Sequence, residues 1–233
     1  MTVGEVDRQC VSETIKLPVE QIKMLGFPRL DVLFGNFKDE DVFMEKELEY
    51  IKELKNKDKR LIIYVPTHRK SDKNIYAWLE NKNLNKLLEE NNAILLCKLH
   101  FIDANNIKLE NCNSIYKINS QADLQPILRF CDGLITDYSS VYFDYLLLNR
   151  PIIHYVPDLM EYQSANPFYE PFENKAAGTI SFTEEELFNA INDILVNVDK
   201  FKEKREALIK KTYSNIDNKN CERIVEFIRS LGE

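Results

Sequence analysis

The stretch Asp132-Gly-Leu-Ile-Thr-Asp-Tyr-Ser-Ser-Val-Tyr-Phe-Asp-Tyr145 changes character halfway along its length. Gly133–Thr136 is a continuous apolar run, the pattern of a strand covered on both faces. From Ser139 onward the pattern becomes helical, and Ser139-Ser140 supplies hydroxyls of the kind that cap a helix start. A buried strand running straight into a capped helix is the repeating unit of a parallel sheet, whose strands need helical crossovers between them.

The same alternation extends in both directions. Continuous apolar runs at Ile22–Leu25, Leu61–Val65, Ala93–Cys97, Ser114–Lys117 and Pro151–Val156 read as further strands. Helical patterns lie between them, at Asp41–Leu54, Ile75–Glu90, Ala122–Phe130 and Ser139–Leu148. The C-terminal part reads as almost wholly helical: Thr183–Val196, Lys200–Lys211 and Lys219–Leu231. Thr183 followed by Glu186 forms a capping box that starts the first of these. The segment Asp158–Thr179, with Pro167, Pro171 and Gly178, is the least regular and reads as a long functional loop. The expected fold is therefore α/β, a Rossmann-like parallel sheet flanked by helices with a helical C-terminal extension.

Composition narrows the function classes. The chain has 233 residues, 30% of them charged, and a net charge of −7, which argues against a nucleic-acid partner. Lys200–Lys211 is locally basic, which suits either anionic lipid or, more commonly, a solvated helix face; the solvated face is the expectation. The five cysteines are scattered without zinc-ligand spacing or a disulfide framework, and reduced thiols suit the cytoplasm. No signal pattern opens the chain, and no apolar run approaches the roughly 18 residues of a membrane span. The expectation is a soluble or peripherally bound protein with neither metal nor cofactor. Six glycines provide no dinucleotide fingerprint and no P-loop.

Ligands of open parallel sheets bind outside the carboxyl ends of the strands. Leu61–Val65 is followed by Pro66-Thr67-His68-Arg69, Ala93–Cys97 by Lys98-Leu99-His100, and Gly133–Thr136 by Asp137-Tyr138-Ser139-Ser140. One sheet edge thus gathers two histidines, two cations and a Ser-Ser helix start. Helix-start N–H groups and hydroxyls favour an anion such as a diphosphate. Arg69 can grip a phosphate bidentately, and Lys98 offers a cation beside it. His100 is placed to act as acid or electrostatic donor to a leaving group. The third histidine, His154, falls inside an apolar run and reads as a satisfied core or edge residue.

These residues resemble the CDP-glycerol glycerophosphotransferase family, the teichoic-acid and capsule polymerases. The resemblance rests on Asp132–Tyr145, Asn149-Arg-Pro-Ile-Ile153 and Asp158-Leu-Met-Glu-Tyr162. It extends back through Lys98-Leu-His100 and Pro66-Thr-His-Arg69 to Gly26-Phe-Pro-Arg-Leu-Asp31, and forward to Asp217-Asn-Lys-Asn-Cys-Glu-Arg223. It implies the C-terminal, donor-binding half of a GT-B fold, with residues 1–40 as the interdomain connection and 41–233 as the donor domain. It further implies transfer of an alditol phosphate from a CDP-linked donor to a hydroxyl on a lipid-linked or polysaccharide acceptor, releasing CMP. By resemblance, Ser139, Ser140, Lys98 and Arg69 hold the diphosphate. Thr67, Thr136, Asp137, Tyr138 and Asp144 complete the donor site, and His100 and His68 are the catalytic candidates.

Two departures leave the alditol open between glycerol, ribitol and others. Asn166-Pro-Phe-Tyr169 stands where the family usually has Arg-Gly-Phe-Tyr, and Asn218 stands where it has Gly. The family's N-terminal acceptor domain, with the histidine thought to serve as base, is missing from the sequence. The expectation is thus a fragment or half-enzyme that binds a CDP-alditol and turns over poorly alone, at the cytoplasmic face of the membrane. The alternatives are a UDP-sugar glycosyltransferase or UDP-N-acetylglucosamine 2-epimerase-like protein, and a non-catalytic nucleotide-binding module of a wall-polymer complex. Tyr138-Ser-Ser and Asp144-Tyr145, in place of the epimerases' Gly-Gly and paired glutamates, favour the phosphotransferase.

Overall fold

The computed structural model describes residues 1–35, 37–68, 75–100 and 113–232. Six strands form one parallel sheet: β1 (Arg60–Val65), β2 (Ala93–Cys97), β3 (Ile115–Lys117), β4 (Gly133–Thr136), β5 (Ile152–Tyr155) and β6 (Thr179–Ser181). Their order is β3-β2-β1-β4-β5-β6, and every adjacent pair is parallel. The chain enters at β1, builds outward to β3, then returns to the other side of β1 and builds outward again. The direction reverses between β1 and β4, which is the topological switch point where such sheets bind ligands.

The strands are buried on both faces because alternate residues serve two cores. Leu61, Ile63, Val65, Leu134 and Ile152 face one layer, packed against α3 (Glu45–Asn56), α5 (Leu124–Leu128), α6 (Val141–Leu146) and α10 (Lys202–Thr212). Ile62, Tyr64, Leu95, Ile135 and Ile153 face the other, which is closed by α4 (Lys82–Glu90) and α9 (Glu184–Leu195). The α9 capping box forms: Glu186 N donates to Thr183 Oγ1 at 3.2 Å and Thr183 N to Glu186 Oε2 at 3.2 Å.

Three sequence expectations change. Ile22–Leu25 is not a strand of the sheet; it exchanges backbone hydrogen bonds around Thr2 instead, from Thr2 N to Lys23 O and from Gly26 N to Thr2 O. The stretch read as a loop from Asp158 contains α7 (Leu159–Ala165) and α8 (Phe172–Lys175) and ends in the edge strand β6. A three-residue strand carries too little periodicity to be read. Gly178 marks its entry, for a Cβ there would lie 2.1 Å from the Ile152 carbonyl oxygen. Finally, the basic run on α10 is only partly solvated. Arg205 is fully buried, donating to the Asp199 carboxylate and, from Nε at 3.2 Å, to Asn149 Oδ1.

The N-terminal segment, with α1 (Glu5–Ile15) and α2 (Pro28–Leu33), lies against the C-terminal helices. Asp31 is buried and accepts from Asn220 N and Cys221 N, both at 2.8 Å, at the start of α11 (Asn220–Ser230). These hydrogen bonds hold its carboxyl below the ordinary range against the opposing effect of burial. No helix among the described residues is long and apolar enough to cross a membrane.

Candidate functional site at the β1–β4 switch point

Asp137 organises the crevice. It follows β4 directly, is buried, and its carboxylate is surrounded by donors from two loops. Thr67 N reaches Oδ1 at 2.9 Å and Oδ2 at 3.0 Å, and Thr67 Oγ1 reaches Oδ1 at 2.8 Å. Tyr138 N and Ser139 N donate to Oδ1 at 2.5 and 3.2 Å. The loop after β1 is therefore tied to the loop after β4, and Thr67 and His68 are held beside Ser139. The hydrogen bonds given for the Asp137 carboxylate thus fix these neighbours in place. Thr136 is likewise structural, since its buried hydroxyl donates to the Val65 carbonyl at 2.8 Å, bridging β1 and β4.

The two candidate catalytic histidines meet. The rings of His68 and His100 lie with centroids 4.8 Å apart and planes 30° apart, at the ends of β1 and β2. His100 is exposed and His68 half-buried. Between them the structure offers two imidazoles that can hold or move a proton at one place in the crevice. Arg69, expected to join them, lies outside the described residues. Lys98 is half-buried, and its Nζ donates to the carbonyls of Asn119 at 2.9 Å and Ser120 at 2.6 Å. Burial lowers its pKa, with Glu47 and Asp123 opposing. It brings a fixed positive charge to this edge while bracing the loop after β3.

Ser139 and Ser140 open α6. Ser139 Oγ accepts from Val141 N at 3.4 Å, whereas the exposed Ser140 makes no side-chain cap. Because α6 has only six residues, an anion here depends more on hydroxyls and the neighbouring imidazoles than on a long helix dipole. Asp144, on the same helix, is buried and paired. Arg29 donates to it through Nε at 2.8 Å and Nη2 at 3.1 Å, and Gln125 Nε2 at 3.1 Å. The hydrogen bond to Asp144 raises the Arg29 pKa. Arg29, stacked 4.6 Å over the Phe27 ring, and Gln125 were not among the residues singled out from sequence. The Gly26-Phe-Pro-Arg-Leu-Asp31 run pointed to this region, but nothing local says that Arg29 meets Asp144.

Two cavities adjoin these residues. One of about 360 Å³ is lined by Phe27, Arg29, Ser140, Phe143, Asp144 and Tyr213, among others. The other, about 180 Å³, is walled by Tyr138, Ser139, Tyr142, His154, Phe168 and Phe172. Tyr138 stacks on Tyr162 at 3.8 Å and 14°, and its hydroxyl donates to Asp158 Oδ1 at 3.0 Å. The segment after β5, read as a functional loop, thus folds its aromatic side chains over the end of β4. His154 is buried as expected, and the Asp137 backbone beside its ring partly opposes the lowering of its pKa by burial.

The doubly wound sheet has the α/β architecture of a GT-B-type Rossmann-like domain. The family described as CDP-Glycerol:Poly(glycerophosphate) glycerophosphotransferase matches over residues 4–230, and the chain belongs to that family. Teichoic acid ribitol-phosphate polymerase TarK of Staphylococcus aureus is 31% identical over 96% of this chain and 43% of its own length. A variant of the wall teichoic acid polymerase TagF, solved after a soak with CDPG, superposes with a TM-score of 0.78 at 26% identity, covering 98% of this chain and 55% of that one. A putative UDP-N-acetylglucosamine 2-epimerase from Listeria monocytogenes shares the fold, with a TM-score of 0.57 at 18% identity over 96% of this chain and 57% of its own. The chain thus spans about half the length of the relatives it matches.

Proposed function

We propose that this chain is the donor-binding part of a transferase that moves glycerol phosphate or a related alditol phosphate from a CDP-linked donor to a hydroxyl of a wall or capsule polymer. The observation that carries this is the Asp137 carboxylate, which by binding Thr67 and Ser139 sets the His68–His100 pair against the Ser-Ser helix start. In this reading Ser139, Ser140 and Thr67 contact the diphosphate, with Arg69 and the charge of Lys98 balancing it. The acceptor oxygen forms a bond to the phosphorus that bears the alditol, and the bond from that phosphorus to CMP breaks. His100 hydrogen-bonds or protonates the departing CMP phosphate, with His68 beside it. The acceptor's proton goes to a base that we place on a separate N-terminal acceptor domain.

Support comes from family membership and from relatives that are teichoic acid polymerases. We take residues 1–40 as the connection to that second domain and 41–233 as the donor domain, since the sheet starts only at β1. A peripheral position on the cytoplasmic face of the membrane suits an acceptor carried on lipid. The test is CMP release from CDP-glycerol and CDP-ribitol by the chain alone and together with a supplied N-terminal half. Turnover only in the mixture is expected. Robust turnover by the chain alone would overturn the half-enzyme reading, and failure to bind either donor would overturn the donor reading.

A further inference from the structure

Lys175 stands where the two cavities meet. Phe143, Glu170 and Lys175 line both of them, while Ser139 lines the smaller and Ser140 the larger. Each side of the partition that carries Lys175 therefore faces one of the two hydroxyls assigned to the diphosphate. The Lys175 backbone is fastened to the first turn of α6. The Tyr142 hydroxyl donates to the Lys175 carbonyl at 2.5 Å and accepts from Ala177 N at 3.0 Å. The side chain is held far less firmly. Its ammonium lies 3.4 Å from a Glu170 carboxylate oxygen, longer than an ordinary hydrogen bond, and both side chains are 36% exposed. Ion pairs this exposed stabilise little, because water screens them and two long side chains must be ordered. Glu170 is thus a partner that Lys175 can exchange.

We propose that Lys175 is a diphosphate-binding residue of the donor site, its ammonium leaving Glu170 to hydrogen-bond the diphosphate beside Ser139 and Ser140, and that Glu170 competes with the donor for it. The proposal deepens the donor reading given above and rests on it. A diphosphate brings negative charge to a helix of only six residues, so it needs a cation that can touch it. The other charged groups around the two cavities are engaged elsewhere. Lys98 commits its ammonium to the Asn119 and Ser120 carbonyls, at 2.9 and 2.6 Å. Arg29 and Asp144 are paired with each other, and Asp7 accepts from Val3 N at 3.1 Å. Asp137 adjoins the smaller cavity with its carboxylate already surrounded by Thr67, Tyr138 and Ser139 donors. Lys211, on α10, is exposed and lines the larger cavity alone. Lys175 differs from all of these in facing both serines. A lysine ammonium carries three donors on a flexible four-carbon stem and can swing from a carboxylate to a phosphate. Charge-assisted hydrogen bonds of that kind are the stronger sort. Glu170 is free to turn outward, since it follows Tyr169, which is 73% exposed. The two partners thus have opposite effects on the donor, whereas residues that only packed this segment would act in the same direction.

The test is calorimetric titration of the full chain with CDP. Lys175→Met, which keeps the stem and removes the charge, is expected to weaken CDP about tenfold, the low end for a charge-assisted hydrogen bond given the exposure of the site. Lys175→Arg is expected to recover most of that loss. Glu170→Gln is expected to tighten CDP about two- to fivefold, the scale of an exposed ion pair, and to change nothing in the Lys175→Met background. Lys211→Met, which removes a cation from the larger cavity alone, should leave CDP affinity within twofold. Thermal melts confirm that each variant is folded. The proposal is overturned if Lys175→Met binds CDP as the wild type does, if Lys175→Arg is as weak as Lys175→Met, or if Lys211→Met weakens CDP equally. It is also overturned if Glu170→Gln weakens CDP or keeps its effect without Lys175. Should the wild type bind no CDP, the donor reading fails separately. Lys175 is then judged by inorganic pyrophosphate against its own side-chain resonances, assigned by their loss in Lys175→Met: a saturable shift upholds a diphosphate contact, and no shift overturns it.

Discussion

His68 and His100 lie in the loops after two different strands, yet their rings lie with centroids only 4.8 Å apart. A pair at this distance at the end of a parallel sheet can pass or share a proton at the leaving phosphate. Under the proposed function, with an N-terminal acceptor domain supplied, His100→Ala is expected to lower kcat by about 10²–10⁴-fold, the range of general acid–base contributions. CDP-glycerol affinity should change little. His68→Ala should fall in the same direction with a smaller loss. Single-turnover CMP release alongside calorimetry checks both; full activity in the His100 variant would remove it from the mechanism.

Asp137 has a different signature because it serves the site through its neighbours. Asp137→Ala strands the Thr67 and Ser139 N–H groups, and each buried unpaired donor costs about 1–3 kcal/mol. A loss of about 3 kcal/mol in urea unfolding is expected, with CDP affinity falling more than tenfold. Asp137→Asn keeps acceptor capacity on one oxygen and should lose less of both. Stability unchanged in the Ala variant would show that the loops hold together without it.

The sheet was legible because its strands are short continuous apolar runs, three of them followed by residues that carry chemistry; five of the six runs read as strands are strands. Missing from that reading was what only three dimensions supply. Thr136 looks like a ligand hydroxyl in sequence, yet its register against Val65 turns it inward. Lys98 looks free, yet two carbonyls after β3 bind its ammonium. Asp144 meets Arg29 from far along the chain, and no local pattern announces a partner that distant. β6 and α8 are too short to show a period, so the segment that covers the cavity read only as a loop.

His154 also makes stability depend on pH. Its folded pKa is lowered from 6.5 to about 4, with burial the main cause and Lys204 adding slightly. Between these values the unfolded chain takes up a proton that the folded one refuses, so this contribution is complete above about pH 6.5 and is lost as pH falls toward 4. At about 1.4 kcal/mol per pH unit the total is about 3.5 kcal/mol. Urea midpoints measured across that range should therefore show a component that His154→Phe removes. A variant with the same slope as the wild type would mean that the ring is protonated in the folded state.

The N-terminal segment and the last helix are joined by a contact that tolerates no side chain. Gly26 has φ +78°, and a Cβ there would lie 1.7 Å from Asn220 Oδ1. Asn220 cannot move away freely, because its N and Nδ2 both donate to Asp31 Oδ1, at 2.8 and 2.5 Å, while Arg223 Nη2 donates to its Oδ1 at 2.7 Å. Gly26→Ala therefore combines left-handed backbone strain of about 1–3 kcal/mol with the loss of this network. Because Arg29 follows on α2 and reaches Asp144, the damage should extend to the crevice. The expected outcome is a lower melting temperature, faster hydrogen exchange at the start of α11 and weaker CDP binding. Asn220→Ala, which clears the space in front of Gly26 at the cost of its own hydrogen bonds, should partly rescue Gly26→Ala when the two are combined. Strict additivity of the two losses would mean that the contact between them contributes nothing.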